Sequence, residues 1–70
     1  MYAANDDVAR MIARLASVGA ITDRKVEAVA MANHKAMPMA GTPIPWADRS
    51  EEYRDAKRAL ARQALLEARP

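Results

Sequence analysis

Three prolines between positions 38 and 45 constrain the fold of this chain more than any other feature of its sequence. Proline lacks the backbone N–H of a helix interior, and it pushes the preceding residue out of the helical region. The segment from Ala36 to Trp46 therefore predicts a loop of about ten residues that interrupts helical structure. Because this loop carries Ile44 and the chain's single tryptophan, it is too apolar for a flexible linker. We expect it to pack back on the preceding helices, within one domain that covers residues 1–70.

The residues before the loop predict a helical hairpin. After a short arm at residues 1–4, Asn5 or Asp6 is placed to cap the first helix. Gly19 predicts the left-handed residue that ends this helix. Apolar residues recur at helical spacing along one face, at Val8, Met11, Ile12, Leu15 and Val18.

Thr22 predicts the start of the second helix, because its side chain is placed to cap a helix that opens at Asp23. This helix is expected to end near His34 or Lys35. Asn33 is the polar exception on an otherwise apolar face, and His34 lies at the edge of that face. The face is formed by Val26, Val29, Ala30, Asn33 and Met37.

The third helix is the longest predicted element. Asp48, with Glu51 three residues later, resembles a capping box, and no glycine or proline interrupts the chain from there to about Ala68. Its apolar side is predicted at Tyr53, Leu60, Ala61, Ala64, Leu65 and Ala68. The predicted fold is an all-α, three-helix domain, in which a proline-rich loop joins a helical hairpin to a longer C-terminal helix.

The small size of the chain bears on its partners and its location. A core of 70 residues rarely supplies more than about 3–5 kcal/mol of stability, and without cysteine no disulfide can add to it. We therefore expect a homo-oligomer, with the five methionines as adaptable interface residues. No metal or other cofactor is predicted. No apolar run approaches the roughly 18 residues of a membrane span, and no signal peptide is recognisable, so the expected location is cytoplasmic and no membrane partner is predicted.

A row of arginines on the third helix is the main candidate site. Arg54, Arg58 and Arg62 follow one another at i, i+4 spacing, which stacks three guanidinium groups on one face. Such a row suits phosphates or an acidic partner. Glu51 and Asp55 lie three residues before Arg54 and Arg58, so a solvated, ion-paired face is the alternative.

Aromatic and amide side chains extend the candidate site. Asn33 and His34 offer hydrogen-bonding groups, and His34 is interpreted as either a binding or a structural histidine. Trp46 and Tyr53 flank the start of the third helix and can both fill the core. If Trp46 is instead exposed beside the arginines, it becomes a platform on which a nucleobase or a partner's ring can stack.

The sequence does not predict an enzyme. His34 is the single histidine, cysteine is absent, and no nucleophile motif surrounds the hydroxyl side chains of Ser17, Thr22, Thr42 and Ser50. The turn from Gly19 to Thr22 supports an alternative, a helix-turn-helix regulator that binds DNA. Its candidate recognition helix begins with Arg24 and Lys25 but continues mostly with alanine, which reads base edges poorly.

The segment from Trp46 to Leu66 resembles the second half of bacterial and phage domains of the ryanodine-receptor type (RyR domains). The resemblance rests on Pro45-Trp46, on Glu51-Glu52-Tyr53-Arg54 and on the alanine- and arginine-rich helix that follows. Residues 26–34, Val-Glu-Ala-Val-Ala-Met-Ala-Asn-His, resemble the histidine-bearing helix of the first half, so the similarity covers residues 26–66. Arg49-Ser50 stands where a leucine-proline pair is usual, and the loop between the helices is shortened.

This resemblance implies a small helical recognition module, common in phage genomes and without established chemistry. The positions that correspond to the family's motif are His34, Trp46, Glu52, Tyr53 and Arg58. We therefore expect a non-enzymatic phage or bacterial accessory protein that binds a host protein or a nucleotide-like anionic ligand and modulates host defence or regulation. Nucleic acid is the less favoured partner.

Overall fold

The structure, a computed structural model, describes residues 6–37 and 41–70. Helix caps and helix breakers divide these residues into three α-helices. Helix α1 spans Asp6–Ala16, α2 spans Asp23–Ala36 and α3 spans Glu51–Glu67, with a short 3-10 turn at Trp46–Asp48 just before α3. The predicted all-α fold, a hairpin followed by a longer C-terminal helix, is confirmed. Predictions for the arm at residues 1–4, for an Asn5 cap and for Met39 lie outside the described residues. None of the described helices is long and apolar enough to cross a membrane.

The turn between α1 and α2 follows the predicted chemistry, with one exception. Gly19 has a φ of 69°, a left-handed conformation that costs glycine little because it lacks a Cβ atom. The Oγ1 atom of Thr22 accepts a hydrogen bond from the backbone N–H of Lys25 at 3.2 Å, which confirms the predicted cap. The prediction that Val18 continues the apolar face of α1 was wrong. The helix ends at Ala16, the chain then turns away from the core, and Val18 is 66% exposed.

The core lies between the three helices, with α2 in the centre. Helix α1 contributes Val8, Ile12 and Ala16, α2 contributes Val26, Val29 and Ala30, and α3 contributes Ala61 and Leu65. The buried side of α3 is narrower than predicted, because Leu60 and Ala68 are exposed. Since most core side chains are small, many of the larger apolar residues remain on the surface.

The start of α3 differs from the predicted capping box. The Oγ atom of Ser50 accepts a hydrogen bond from the backbone N–H of Tyr53 at 3.1 Å, so Ser50 caps the helix. Asp48 instead ends the 3-10 turn, where its own N–H donates to the carbonyl oxygen of Pro45 at 3.0 Å. The prolines precede this turn, and because of the turn the cap of α3 lies two residues later than predicted, at Ser50 instead of Asp48.

Replacing the cap should therefore be more costly than replacing Asp48. We expect Ser50→Ala to lower the free energy of unfolding by about 1 kcal/mol, since it leaves an amide at the helix start without its acceptor. Asp48→Ala should cost less than about 0.5 kcal/mol. Urea unfolding followed by circular dichroism measures both values. Equal losses for the two variants would place the cap at the wrong residue.

Candidate functional site

Three of the predicted site residues, His34, Trp46 and Tyr53, form a ring cluster where the loop meets α2 and α3. The ring centroids are 5.7 Å apart for His34 and Trp46, 5.6 Å for His34 and Tyr53, and 6.4 Å for Trp46 and Tyr53. These separations and the tilted or edge-on ring orientations are favourable for aromatic packing. His34 is buried, while the other two rings are half-buried. Trp46 also packs against the core, so the described end of the loop folds back on the hairpin as expected.

The hydrogen bonds of His34 determine which of its nitrogens is protonated. Its Nε2 atom lies 2.8 Å from the backbone oxygen of Ile44, and its Nδ1 atom lies 2.9 Å from the hydroxyl oxygen of Tyr53. A carbonyl oxygen can only accept, so Nε2 donates. In the neutral ring Nδ1 then accepts the hydroxyl hydrogen of Tyr53. His34 therefore holds the loop against the end of α2, and both of its nitrogens are occupied.

Glu27 connects the ring cluster to the arginine row, formed by Arg54, Arg58 and Arg62. The Nε1 atom of Trp46 donates to one carboxylate oxygen of Glu27 at 2.8 Å, and the Nε atom of Arg58 donates to the other at 2.7 Å. The hydrogen bond from Arg58 lowers the pKa of Glu27 below its ordinary 4.5, opposed by partial burial and helped by the bond from Trp46. Glu27 was not among the residues selected from the sequence. The sequence feature that could have identified Glu27 is its position seven residues before His34, because this spacing puts both residues on one face of α2.

The arginine row meets carboxylates along its whole length. Arg54 pairs with Glu51 at 2.6 Å, and Arg62 pairs with Asp23 of α2 at 2.9 Å. The hydrogen bond to Glu27 is the largest of the causes that raise the pKa of Arg58. The guanidinium of Arg58 contacts three carboxylates, those of Glu27, Glu51 and Asp55. This arrangement matches the ion-paired alternative, and a phosphate would have to compete with these internal partners.

The ion pairs predict a loss of stability in acid. A carboxyl group whose pKa is lower in the folded state than in the unfolded state stabilises the fold fully above its unfolded pKa, here near 4.5 for Glu27 and Glu51. This contribution disappears as the pH falls through the lowered pKa of the folded state. The urea midpoint should therefore fall less between about pH 6 and about pH 3 in Glu27→Gln, which cannot titrate, than in the unmodified protein.

The exposed Glu52 supplies the matched control for this measurement. It lies in the first turn of α3 and has no ion-pair partner among the described residues. Glu52→Gln removes one carboxylate from the first turn of α3 without breaking an ion pair, so it controls for the change in net charge. If Glu27→Gln lost as much stability in acid as Glu52→Gln, the link between Glu27, Trp46 and Arg58 would not contribute to the acid dependence of stability.

A groove with a volume of about 580 Å³ opens beside the ring cluster. Its lining is mainly apolar, and Met31, Met37 and Ile44 are 45%, 37% and 43% exposed. Met37, predicted on the apolar face of α2, lies just past the end of the helix and faces this groove. The lining residues are Met31, Ala32, His34, Lys35, Met37, Pro43, Ile44, Pro45 and Trp46. The groove, rather than the ion-paired arginine row, is therefore the candidate binding surface next to the predicted site residues.

The remaining predicted site residues lie apart from the groove. Asn33 is 3% exposed, and its side-chain oxygen accepts no hydrogen bond within the part of the chain that the structure describes. Its polar group is therefore a core feature.

Among residues 6–37 and 41–70, His, Cys, Asp and Glu side chains nowhere group in threes at a spacing that fits a metal ion.

The chain matches no protein-family model, no curated protein and no solved structure. The resemblance to RyR-type domains therefore stays a prediction. The site has to be interpreted from its own geometry.

Proposed function

We propose that this protein is a small non-enzymatic binding module, and that the groove receives an apolar side chain of a partner protein. The observation that carries this proposal is the exposed apolar lining of the groove beside a loop that His34 holds in place. Methionine side chains adapt easily to an irregular partner surface, and Met31 and Met37 supply them here. Because hydrogen bonds already hold the loop, binding would not carry the entropy cost of ordering it.

Few free hydrogen-bonding groups face the groove, which favours a protein over a nucleotide. Recognition of a nucleobase needs donors and acceptors along the edge of the base. Both nitrogens of His34 are occupied, and the carbonyl oxygen of Ile44 already accepts one of their bonds. Pro43 and Pro45 have no backbone N–H. Affinity in this groove would thus come mainly from burial of apolar surface.

The DNA-binding alternative gains little support from the fold. A recognition helix has to expose a face that can enter the major groove. Helix α2 is instead the central helix of the domain, with five of its residues buried, namely Val26, Val29, Ala30, Asn33 and His34. The resemblance to RyR-type domains supports the further proposal that the partner is a host protein and that the chain is a phage or bacterial accessory protein acting on host defence or regulation. Self-association, expected from the small size, stays a prediction that a native mass measurement checks.

Site-specific photo-crosslinking tests the groove. A photoreactive phenylalanine analogue at Met31 or Ile44 of the full chain, produced in bacterial cells, should yield covalent adducts with a partner protein. The same analogue at Leu66 is the control, since Leu66 is 50% exposed but lies on α3 outside the groove lining. Equal yields from Leu66 would argue against the groove. Adducts found only at twice the mass of the chain would show that a second copy occupies it.

A further inference from the structure

We infer that the partner segment bound in the groove carries an acidic side chain beside its apolar anchor, and that Lys35 in the groove lining and Lys57 next to Met37 attract it. This inference rests on the proposed function, because it names the chemistry of the segment that the groove takes. The occupant is a short acidic, amphipathic peptide segment of another protein.

Lys57 is half-buried, and its ammonium group contacts a sulfur atom and an aromatic ring. Its ammonium group lies 3.0 Å from the sulfur of Met37, which lines the groove, and 5.5 Å from the centre of the Tyr53 ring. A thioether sulfur is a weak acceptor, whereas an ammonium group offers three donors. No carboxylate among the described residues pairs with it. A partner's carboxylate beside Met37 would give Lys57 the strong acceptor that the described residues do not supply.

Lys35 adds a second positive charge in the groove lining. It is exposed in the last turn of α2 and forms no ion pair among the described residues, although Asp7 of α1 lines a second hollow together with it. Among the polar side chains that line the groove, Lys35 is the one that still has free hydrogen-bond donors, because both nitrogens of His34 are occupied. An apolar floor next to uncompensated ammonium groups complements a segment in which an apolar residue stands beside Asp or Glu.

In the arginine row, by contrast, the cations are already paired with carboxylates, and this difference favours the two lysines as the site for an anion. Each of Arg54, Arg58 and Arg62 already has a carboxylate within 3.0 Å. A new anion there would displace an existing ion pair and gain little. At Lys57 no such exchange is needed, and partial burial strengthens a charge-assisted hydrogen bond. Electrostatic recognition is thereby assigned to two lysines outside the arginine row.

A library of random short peptides, selected for binding to the full chain, provides the probe. The selected peptides should combine a large apolar residue with Asp or Glu. Changing that acid to its amide should weaken binding about tenfold, the size expected for one charge-assisted hydrogen bond. K35E/K57E should weaken binding at least as much, and K35Q/K57Q, which is milder for folding, should weaken it to about the same degree as the amide peptide.

A matched charge reversal at exposed positions away from the groove controls for net charge. Arg14 and Arg24 are both exposed and do not line the groove, so R14E/R24E should bind the selected peptide within about twofold of the unmodified protein. Circular dichroism verifies that all variants keep their helices. Equal loss in R14E/R24E and K35E/K57E would overturn the assignment to the two lysines.

Two further variants separate this inference from the proposed function. Neutral selected peptides that bind K35Q/K57Q normally but lose binding to I44S would overturn the carboxylate and leave the groove in place. Peptides indifferent to both I44S and M31S would overturn the groove itself. Dodecanoate, an apolar chain with a carboxylate, is tested in competition, and displacement of the peptide at equal or lower concentration would overturn a peptide as the occupant.

Discussion

Leu65→Ala should remove most of the stability of this domain. Leu65 has no exposed surface and is the largest fully buried side chain in the described core. Truncating a buried leucine to alanine costs about 2–5 kcal/mol, because the protein loses the transfer free energy and keeps a cavity. A domain of this size is expected to have only about 3–5 kcal/mol in total. In urea titrations followed by circular dichroism, this variant should already be substantially unfolded without denaturant.

The adjacent leucine is the control for this change. Leu66 is 50% exposed, so Leu66→Ala makes the same truncation at a position that does not lie in the core. Its cost should stay below about 1 kcal/mol. Comparable losses at positions 65 and 66 would mean that α3 presents a different face to the core.

His34→Ala should have the second largest effect, about 2–4 kcal/mol, because it removes two hydrogen bonds and the ring in the middle of the ring cluster. It should also release the loop at Ile44 and so abolish binding of any peptide that needs the groove. Urea unfolding measures the first effect. Titration of a peptide selected on the unmodified protein measures the second, at a temperature where the variant is still helical.

Tyr53→Phe separates the hydrogen bonds of His34 from its packing. This change keeps the ring and removes only the hydroxyl group that donates to Nδ1, so the expected cost is about 1 kcal/mol. The bond to Ile44 stays, and groove binding should persist. If His34→Ala cost no more than Tyr53→Phe and still bound the peptide, His34 would not be what holds the loop.

Elements governed by local sequence could be predicted. The cap at Thr22, the left-handed Gly19 and the interruption of helical structure by the prolines each depend on a few neighbouring residues. The start of α3 was missed because two signals competed. Asp48 and Ser50 can both accept hydrogen bonds from the first amides of a helix. Because Asp48 belongs to the 3-10 turn, Ser50 becomes the cap.

The candidate site depended on contacts between residues far apart in the chain. Spacing predicted that Arg54, Arg58 and Arg62 share a face, and it predicted the pairing of Glu51 and Asp55 three residues before. It could not predict that Asp23 and Glu27 of another helix also meet this row, since Arg58 and Glu27 are 31 positions apart. Nor could it predict that Lys57 lies against Met37 and forms no ion pair among the described residues. Such arrangements follow from how α2 and α3 pack, which no local pattern specifies.

The bond from His34 ends on the main-chain oxygen of Ile44, and this has a consequence for how the binding surface can diversify. Every amino acid carries the same carbonyl, so position 44 can change its side chain without loosening the loop. That side chain is 43% exposed and faces the groove. Evolution, or an engineer, can therefore retune partner preference at this position while the anchoring bond stays intact.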